Sequence, residues 1–259
     1  MRPIRLIALD LDGTLLRSDK TVSPYARSVL ERLRGQGIRL VYATARPLRG
    51  VACLRLPAAD GLVCHNGVLV YRDGRLESRQ GLPAGVLGPL LRAFLAAQPG
   101  ARLALELGGA LYANFNAREL WPDSDFLPST LLDLPPLEAD KLLLDLGGGQ
   151  APLRWLEAHL PEGCYLQISE GRVAMLLNRQ ATKLQGVRLL LRAFGLDLRE
   201  TAAFGDDLND LELLSACGLG VAMAGALEPV RAAATAVCGP CDEDGVARFL
   251  DGLFPAQAL

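Results

Sequence analysis

An alternation of buried strands with helices in the first 80 residues constrains the fold more than any other feature of this sequence. Residues 4–9 form an apolar run that only Arg5 interrupts, which is typical of a strand buried on both faces. Ser23-Pro24 predicts the start of a helix that runs to about residue 34, and buried strands are predicted at 38–43 and 62–64. This spacing of strand, helix and strand indicates a parallel sheet with crossover helices.

The pattern changes near residue 82, where hairpins replace the crossovers. One hairpin is predicted around Gly108-Gly109 and another around Glu170-Gly171, and such turns join antiparallel strands. The flanking strands are 102–107, 110–114, 165–169 and 172–178; a further strand is predicted at 141–146, and helices are predicted at 85–97 and 151–160.

The parallel style returns at Lys183. The predicted elements are a helix from Lys183 to Phe194, a strand at 201–205, a helix at 208–216 and a strand at 219–223. We therefore predict an α/β fold in which residues 1–81 and 181–259 form one discontinuous domain, and residues 82–180 form an inserted α+β domain.

Charge and hydropathy exclude several classes of function. The net charge is −2, and the insert carries 7 basic and 11 acidic residues, so the chain lacks the basic surface of a nucleic-acid-binding protein. The first apolar run reaches Asp10 too soon for a signal peptide. The longest stretch without charge, residues 213–227, is too short to span a bilayer. We expect a soluble, cytoplasmic protein that is a monomer or a homodimer.

Three residue types are scarce or scattered. Lysines stand only at positions 20, 141 and 183, so each lysine needs an explanation. Two histidines exclude chemistry built on a histidine cluster. Of the six cysteines, only Cys238 and Cys241 have metal or redox spacing, and one such pair without a second is typical of incidental thiols.

Acidic residues follow two of the predicted strands. The first strand ends in Asp10-Leu11-Asp12-Gly13-Thr14, and ligands of open α/β sheets bind beyond the carboxyl ends of the strands. Two adjacent carboxylates are costly to bury unless a cation such as Mg²⁺ lies between them. A solvated Asp-Gly turn is the alternative interpretation.

The second acidic segment is Gly205-Asp206-Asp207-Leu208-Asn209-Asp210, which follows a strand and opens a helix. The N-terminal amides of a helix favour an anion nearby, although an aspartate there is also an ordinary helix cap. The two segments together, each at a strand end, favour one shared site.

These segments resemble two motifs of the haloacid dehalogenase (HAD) superfamily of phosphotransferases. Thr44 is similar to the second motif and Lys183 to the third, and His65-Asn66-Gly67 and Asp242–Val246 resemble the Cof-like branch. That branch carries an α/β cap between the second and third motifs, where this chain has its insert. The resemblance implies a Rossmann-like parallel-sheet core with an inserted α+β cap.

The resemblance also implies an activity, namely Mg²⁺-dependent hydrolysis of small phosphorylated metabolites, such as sugar phosphates, through an aspartyl-phosphate intermediate. Asp10 is the expected nucleophile. Asp12 is the expected acid and base, a role that requires a pKa above its usual value of about 3.9.

The remaining expected roles come from the same resemblance. The expected metal ligands are Asp10, the backbone carbonyl of Asp12 and Asp206. Asp210 is expected not to bind the metal directly but to orient Lys183 or a metal-bound water. The expected phosphate contacts are Leu11, Thr44, Ala45, Lys183 and Asn209, and Arg46 and Asn66 are candidate substrate contacts.

Two segments depart from the family pattern, and the cap has no motif of its own. Ala45 stands where the second motif usually has glycine, and Ala224-Gly225-Ala226 replaces Gly-Asn-Ala, which affects phosphate positioning. Residues 112–126 contain four aromatic side chains, which either contact the substrate or fill the core of the cap.

Other functions remain open on the same fold. The first alternative is a phosphomutase or a specialised sugar-phosphate phosphatase. An inactive binding protein would not need the intact set of motif residues, and a dehalogenase would have no use for Asp12.

Overall fold

The computed structural model describes residues 3–169 and 171–255. The chain divides into two compact units, with boundaries between Arg79 and Gln80 and between Ala181 and Thr182. The boundaries predicted from the sequence, at 81/82 and 180/181, lie within two residues of these.

The first part of the chain forms the elements β1 (Leu6–Leu9), α1 (Pro24–Gly35), β2 (Arg39–Ala43), α2 (Leu48–Ala52), β3 (Gly61–Cys64), β4 (Leu69–Arg72) and β5 (Arg75–Arg79). The second unit follows with α3 (Ala84–Ala97), β6 (Leu103–Leu107), β7 (Ala110–Ala113), β8 (Leu127–Pro128), β9 (Lys141–Asp145), α4 (Ala151–Ala158), β10 (Cys164–Ser169) and β11 (Val173–Asn178). The chain then forms α5 (Lys183–Phe194), β12 (Thr201–Gly205), α6 (Leu211–Ala216), β13 (Leu219–Met223), α7 (Glu228–Ala233), β14 (Ala236–Cys238) and α8 (Gly245–Leu253).

The first unit contains a sheet whose strand order, over the described residues, is β14-β13-β12-β1-β2-β3-β4-β5. The strands from β14 to β3 pair in parallel, and β4 and β5 extend the edge as an antiparallel hairpin. The central strand β1 is buried along its whole length, as its apolar run predicts. The hairpin β4–β5 was not predicted, because its exposed residues lack the alternating pattern of a half-buried strand.

The second unit contains a mixed sheet in the order β10-β11-β9-β6-β7-β8 over the described residues. The predicted hairpin β6–β7 forms around Gly108 and Gly109, which both have positive φ, as a tight two-residue turn requires. The strands of the second hairpin, β10 and β11, also pair antiparallel, but Glu170 of its turn lies outside the described residues. One face of the sheet packs under α3 and α4 around Phe94 and Leu156.

The predicted α/β fold with a parallel core sheet and a second, mixed sheet is confirmed. Helix α1 begins at the predicted residues, where the Ser23 hydroxyl accepts a hydrogen bond from the N–H of Ala26. The helix predicted at 208–216 differs, since Leu208–Asp210 form a 3₁₀ turn before α6. No helix within residues 3–169 and 171–255 is both long and apolar enough to cross a membrane.

Asp60 joins two strands of the core sheet through a buried carboxylate. It accepts hydrogen bonds from the N–H of Leu40 (2.9 Å), from Arg39 (2.8 Å) and from Arg34 (3.3 Å). Burial raises the pKa of Asp60, but these donors outweigh it, and the pKa lies below its usual value. A lowered pKa means that the carboxylate stabilises the fold at neutral pH, and that this contribution is lost as the pH falls through the folded-state pKa.

We expect Asp60→Asn to lower the free energy of unfolding by about 2 kcal/mol at pH 7, because charge-assisted hydrogen bonds are lost. The difference from wild type should shrink as the pH falls below the ordinary pKa of an aspartate. Urea denaturation at pH 7 and under acid conditions measures both effects. Asp251→Asn is the control, because it removes a more exposed partner of an arginine and should cost less than about 1 kcal/mol.

Candidate active site

The candidate site lies where neighbouring parallel strands end. Asp10 follows β1, Thr44 follows β2, Asn66 follows β3, and Asp206 follows β12. The strands β12, β1, β2 and β3 are adjacent and in register, so their carboxyl ends meet at one edge of the sheet. The structure therefore brings together residues from four segments that are distant in the sequence.

A buried lysine connects two of the acidic residues. Nζ of Lys183 donates to Oδ1 of Asp10 at 2.6 Å and to Oδ1 of Asp210 at 2.7 Å, and each of these side chains is at least nine-tenths buried. Thr182 caps α5 by accepting a hydrogen bond from the N–H of Gln185, which places Lys183 at the first helical position. Burial lowers the pKa of Lys183, but the two carboxylates outweigh it and raise its pKa above the usual value. Both carboxylates therefore favour the charged form of Lys183.

Three carboxylates converge beside this lysine. One oxygen from each of Asp10, Asp206 and Asp210 lies within 4.8 Å of the other two. Oδ1 of Asp206 accepts a hydrogen bond from the buried Thr14 hydroxyl at 3.2 Å. Oxygen donors at this spacing suit a hard divalent cation.

The cluster brings three carboxylates together with one lysine, so its formal charge is negative. Burial raises the pKa of Asp10 well above its usual value, although Lys183 opposes the shift. Burial and the charge of Asp210 raise the pKa of Asp206 to about 6. Lys183 compensates part of this charge, and the raised pKa values indicate that a further cation would stabilise the ionised carboxylates.

Gly13 lets the first acidic segment approach Asp206. Its φ is +74°, and a Cβ atom there would lie 2.3 Å from Oδ2 of Asp206. The backbone conformation favours glycine, and the absence of a side chain lets Gly13 pack closely against the Asp206 carboxylate.

Asp12 lies at the rim of the cluster and has cationic partners. Nε and Nη2 of Arg46 donate to its two carboxylate oxygens at 2.6 and 2.7 Å, and Nζ of Lys20 donates at 2.9 Å. Burial raises the pKa of Asp12, but these hydrogen bonds outweigh it, so the pKa lies below its usual value. The prediction of a raised pKa for Asp12 is wrong in this structure, because both cations stabilise the charged form.

The predicted phosphate-binding residues share the same edge of the sheet. The Thr44 hydroxyl accepts a hydrogen bond from the N–H of Arg46 at 3.1 Å, and Nδ2 of Asn209 donates to Oδ1 of Asn66 at 3.1 Å. Among the described residues, Nδ2 of Asn66 and Oδ1 of Asn209 are buried without a hydrogen-bond partner. Leu11 follows Asp10 and is fully buried, whereas Ala45 follows Thr44 and is half-buried.

The backbone around Asn66 is strained. His65, Asn66 and Gly67 have φ values of +49°, +58° and +116°, a conformation that residues other than glycine rarely adopt. Such strain collects at ligand-binding sites, where the surroundings hold the residue in place. With its unpaired Nδ2, Asn66 is a candidate donor for a ligand.

Sequence analysis missed two residues of this neighbourhood, Thr14 and Lys20. The scarcity of lysine could have identified Lys20. Two of the three lysines, Lys20 and Lys183, donate hydrogen bonds to carboxylates of the site. Burial raises the pKa of Cys238 to about 11 and also raises that of Cys241, which disfavours the reactive thiolate form at both positions.

Comparisons with known proteins agree with this geometry. Residues 7–250 match the haloacid dehalogenase-like hydrolase family. A Haemophilus influenzae protein named "Putative phosphatase" is 30% identical over 95% of this chain and 97% of its own length. The 5-amino-6-(5-phospho-D-ribitylamino)uracil phosphatase YitU of Bacillus subtilis is 27% identical over 96% of this chain and 97% of its own. A solved HAD subclass IIB sugar phosphatase, 22% identical, shares the fold with a TM-score of 0.82 over 96% of this chain and 98% of that one.

The chain belongs to the haloacid dehalogenase-like hydrolase family. It is a phosphatase of this family, which confirms the predicted class of phosphoric monoester hydrolase. The family resemblance carried by the sequence motifs is likewise confirmed.

We expect Gly13→Ala to lower kcat/KM for a phosphate ester at least about tenfold, because the added methyl group displaces Asp206. Gly74→Ala is the matched control, since Gly74 has nearly the same φ (+76°) but open space around the position of a Cβ atom. Both variants should lose about 1 kcal/mol of stability, measured by urea denaturation. Equal activity of the two variants would contradict the close packing of Gly13 on Asp206.

Proposed function

We propose that this protein is a Mg²⁺-dependent phosphatase that hydrolyses its substrate through an aspartyl-phosphate intermediate on Asp10. The observation that carries the proposal is the convergence of Asp10, Asp206 and Asp210 around the buried Lys183 at the edge of the sheet. The lysine fixes one oxygen of Asp10, so the carboxylate has a defined orientation for attack on phosphorus.

In the first half of the reaction, a bond forms between a carboxylate oxygen of Asp10 and phosphorus while the bond from phosphorus to the ester oxygen breaks. Asp12 is proposed to give a proton to the leaving oxygen, which requires that its contacts with Arg46 and Lys20 loosen when substrate binds, because these contacts lower its pKa. In the second half, Asp12 takes a proton from a water molecule, whose oxygen attacks phosphorus and releases Asp10 and inorganic phosphate.

The convergence of Asp10, Asp206 and Asp210 supports a metal site, and the family resemblance assigns the ligands to the side chains of Asp10 and Asp206 and to the backbone carbonyl of Asp12. When bound, Mg²⁺ would offset the negative charge that Asp10 and the phosphate group bring together. Asp210 fits the role of a residue that orients Lys183. Its Oδ1 accepts a hydrogen bond from Lys183, and its Oδ2 accepts hydrogen bonds from the N–H groups of Asp206 and Asp207.

The phosphate oxygens need several donors, since the transition state spreads its charge over them. The side chains of Thr44, Lys183 and Asn66 stand at the edge where Asp10 attacks, and the unpaired Nδ2 of Asn66 is a donor without a protein acceptor. Lys183 would reorient from Asp10 toward a phosphate oxygen or bridge the two. The proposed donors are Leu11 and Ala45 through their N–H groups, and Thr44, Asn66, Lys183 and Asn209 through their side chains.

The substrates are phosphate esters of small metabolites, and sugar phosphates are the proposed class. The relative YitU is named for a phosphorylated ribityl compound, and other relatives are named HMP-PP phosphatases. Arg46 is the proposed contact to the leaving group, because it lies on the carboxylate that would protonate that group.

The cellular location, the oligomeric state and the partners of the protein are also proposed from the sequence. The protein is proposed to act in the cytoplasm as a monomer or homodimer, without nucleic acid or membrane. Its six cysteines are free thiols, which suits a reducing compartment. A phosphomutase or a specialised sugar-phosphate phosphatase stays the main alternative.

The direct test is phosphate release from a panel of small phosphate esters, with Mg²⁺ and with EDTA. We expect Mg²⁺-dependent release in the wild type and a loss of about 10³-fold or more in Asp10→Asn, because the nucleophile is removed. Asp19→Asn is the control, since Asp19 is exposed and hydrogen-bonds within its own turn. Activity that persists in Asp10→Asn would overturn the mechanism, and an isomeric phosphate ester as product would indicate a mutase.

A second test compares two neighbouring aspartates. We expect Asp206→Asn to raise the Mg²⁺ concentration for half-maximal activity roughly 10–100-fold, because a proposed metal ligand loses its charge. Asp207→Asn should leave it unchanged, since Asp207 caps the following turn, and asparagine caps equally well. A similar Mg²⁺ requirement in both variants would contradict the assignment of Asp206.

A further inference from the structure

Thr14 brings a buried hydroxyl to the site, and the proposed chemistry does not use it. The side chain is 1% exposed, so the hydroxyl is shielded from bulk water. Its Oγ1 donates to Oδ1 of Asp206 at 3.2 Å, across 192 residues of sequence. A buried hydroxyl needs a hydrogen-bond partner inside the protein, and the Asp206 carboxylate is that partner.

The backbone that carries Thr14 forms a closed turn directly after β1. The N–H of Leu16 donates to the carbonyl of Leu11 at 2.8 Å, and the N–H of Thr14 donates to the same carbonyl at 3.4 Å. The N–H of Leu15 donates to the carbonyl of Asp10 at 3.4 Å. The hydroxyl of Thr14 is therefore held at a fixed place relative to Asp10, the proposed nucleophile.

The backbone of Asp206 is held separately from its side chain. Its N–H donates to Oδ2 of Asp210 at 3.2 Å, and its carbonyl accepts from the N–H of Leu227 at 3.1 Å. These two bonds fix the main chain but leave the side-chain torsions of Asp206 free. The bond from Thr14 acts on the carboxylate itself, and a hydrogen bond to an ionised group is stronger than one between neutral groups.

The residue before Thr14 limits the same carboxylate from another direction. A Cβ atom on Gly13 would lie 2.3 Å from Oδ2 of Asp206, so the Gly13 backbone packs closely against that oxygen. Two consecutive residues thus contact the two oxygens of one carboxylate. A side chain that is already oriented loses less conformational entropy when it binds a ligand.

We propose that Thr14 is a positioning residue that orients the Asp206 carboxylate for a divalent cation. This role rests on the metal site proposed above, in which Asp206 is a ligand. The cluster gives the orientation its value, because an oxygen of Asp206 lies within 4.8 Å of oxygens of both Asp10 and Asp210. Groups that hydrogen-bond to a metal ligand commonly change metal affinity when they are removed.

The test measures Mg²⁺ binding to the full chain without substrate, by isothermal titration calorimetry. Thr14→Val keeps the branched shape of threonine and removes the donor. We expect the Kd for Mg²⁺ to rise about 3–10-fold in Thr14→Val, near the lower end of the effects of such groups. Thr14→Ala should weaken binding by at least as much. Thr14→Ser, which keeps the hydroxyl, should bind within about twofold of wild type.

Thr21→Val is the matched control for the loss of a threonine hydroxyl. The hydroxyl of Thr21 also donates to an aspartate, Asp19, at 2.6 Å, but this pair is exposed and lies outside the cluster. The Kd for Mg²⁺ should not change in this variant. An unchanged Kd in both Thr14→Val and Thr14→Ala would overturn the role of Thr14. So would a rise in Thr14→Ser as large as that in Thr14→Val, because the methyl group rather than the hydroxyl would then matter.

The dependence of activity on Mg²⁺ separates positioning from a general structural defect. If Thr14 acts only through the orientation of Asp206, excess Mg²⁺ should restore kcat of Thr14→Val to within about threefold of wild type. A loss of kcat of more than about tenfold that persists at saturating Mg²⁺ would overturn the inference, since it would place Thr14 in the chemical step or in the packing of the fold.

The outcomes also separate this inference from the proposed function. A wild type that binds Mg²⁺ and depends on Asp10, with an affinity that neither Thr14→Val nor Thr14→Ala changes, would overturn the role of Thr14 alone. A wild type that binds no Mg²⁺, or that binds it equally well in Asp206→Asn, would overturn the proposed metal site, and the role of Thr14 with it.

Discussion

The interaction on which the site depends is the buried contact of one ammonium group with two carboxylates. Lys183 is 1% exposed, and burying an unpaired charge to this degree would be strongly destabilising. Asp10 and Asp210 supply the compensation, and Asp210 is in turn held by the backbone N–H groups of Asp206 and Asp207. Lys183, Asp10 and Asp210 therefore form one electrostatic unit. It joins the start of α5 to the segments that follow β1 and β12.

This unit requires that the start of α5 lie close to the loop that follows β3. A Cβ atom on Gly67 would lie 2.3 Å from the carbonyl oxygen of Thr182, the residue that caps α5. The His65-Asn66-Gly67 segment thus serves the site in two ways, since it presents the Asn66 amide and leaves room for the helix that carries Lys183. A bulkier residue at Gly67 would move the ammonium away from both carboxylates.

Much of the core could be predicted because its signals are local. The strand β1 is an uninterrupted apolar run, α1 has its serine cap and proline, and the acidic segments follow strands directly. The hairpin β4–β5 and the 3₁₀ turn at Leu208–Asp210 could not be predicted, since solvent-facing strands and short helical turns have weak patterns. The pKa of Asp12 was predicted in the wrong direction, because its sign depends on which cations the fold brings to that carboxylate.

The sequence by itself determined the class of fold, the family and the candidate residues for phosphate chemistry, since strand periodicity and motif residues can be read along the chain. Only the tertiary structure decided which charges meet. Lys183 lies 173 residues from Asp10, and Arg17 is joined to Asp244 across 227 residues. Such contacts set the orientation and the pKa of each carboxylate, because electrostatic interactions depend on distance and burial in space rather than on separation in sequence.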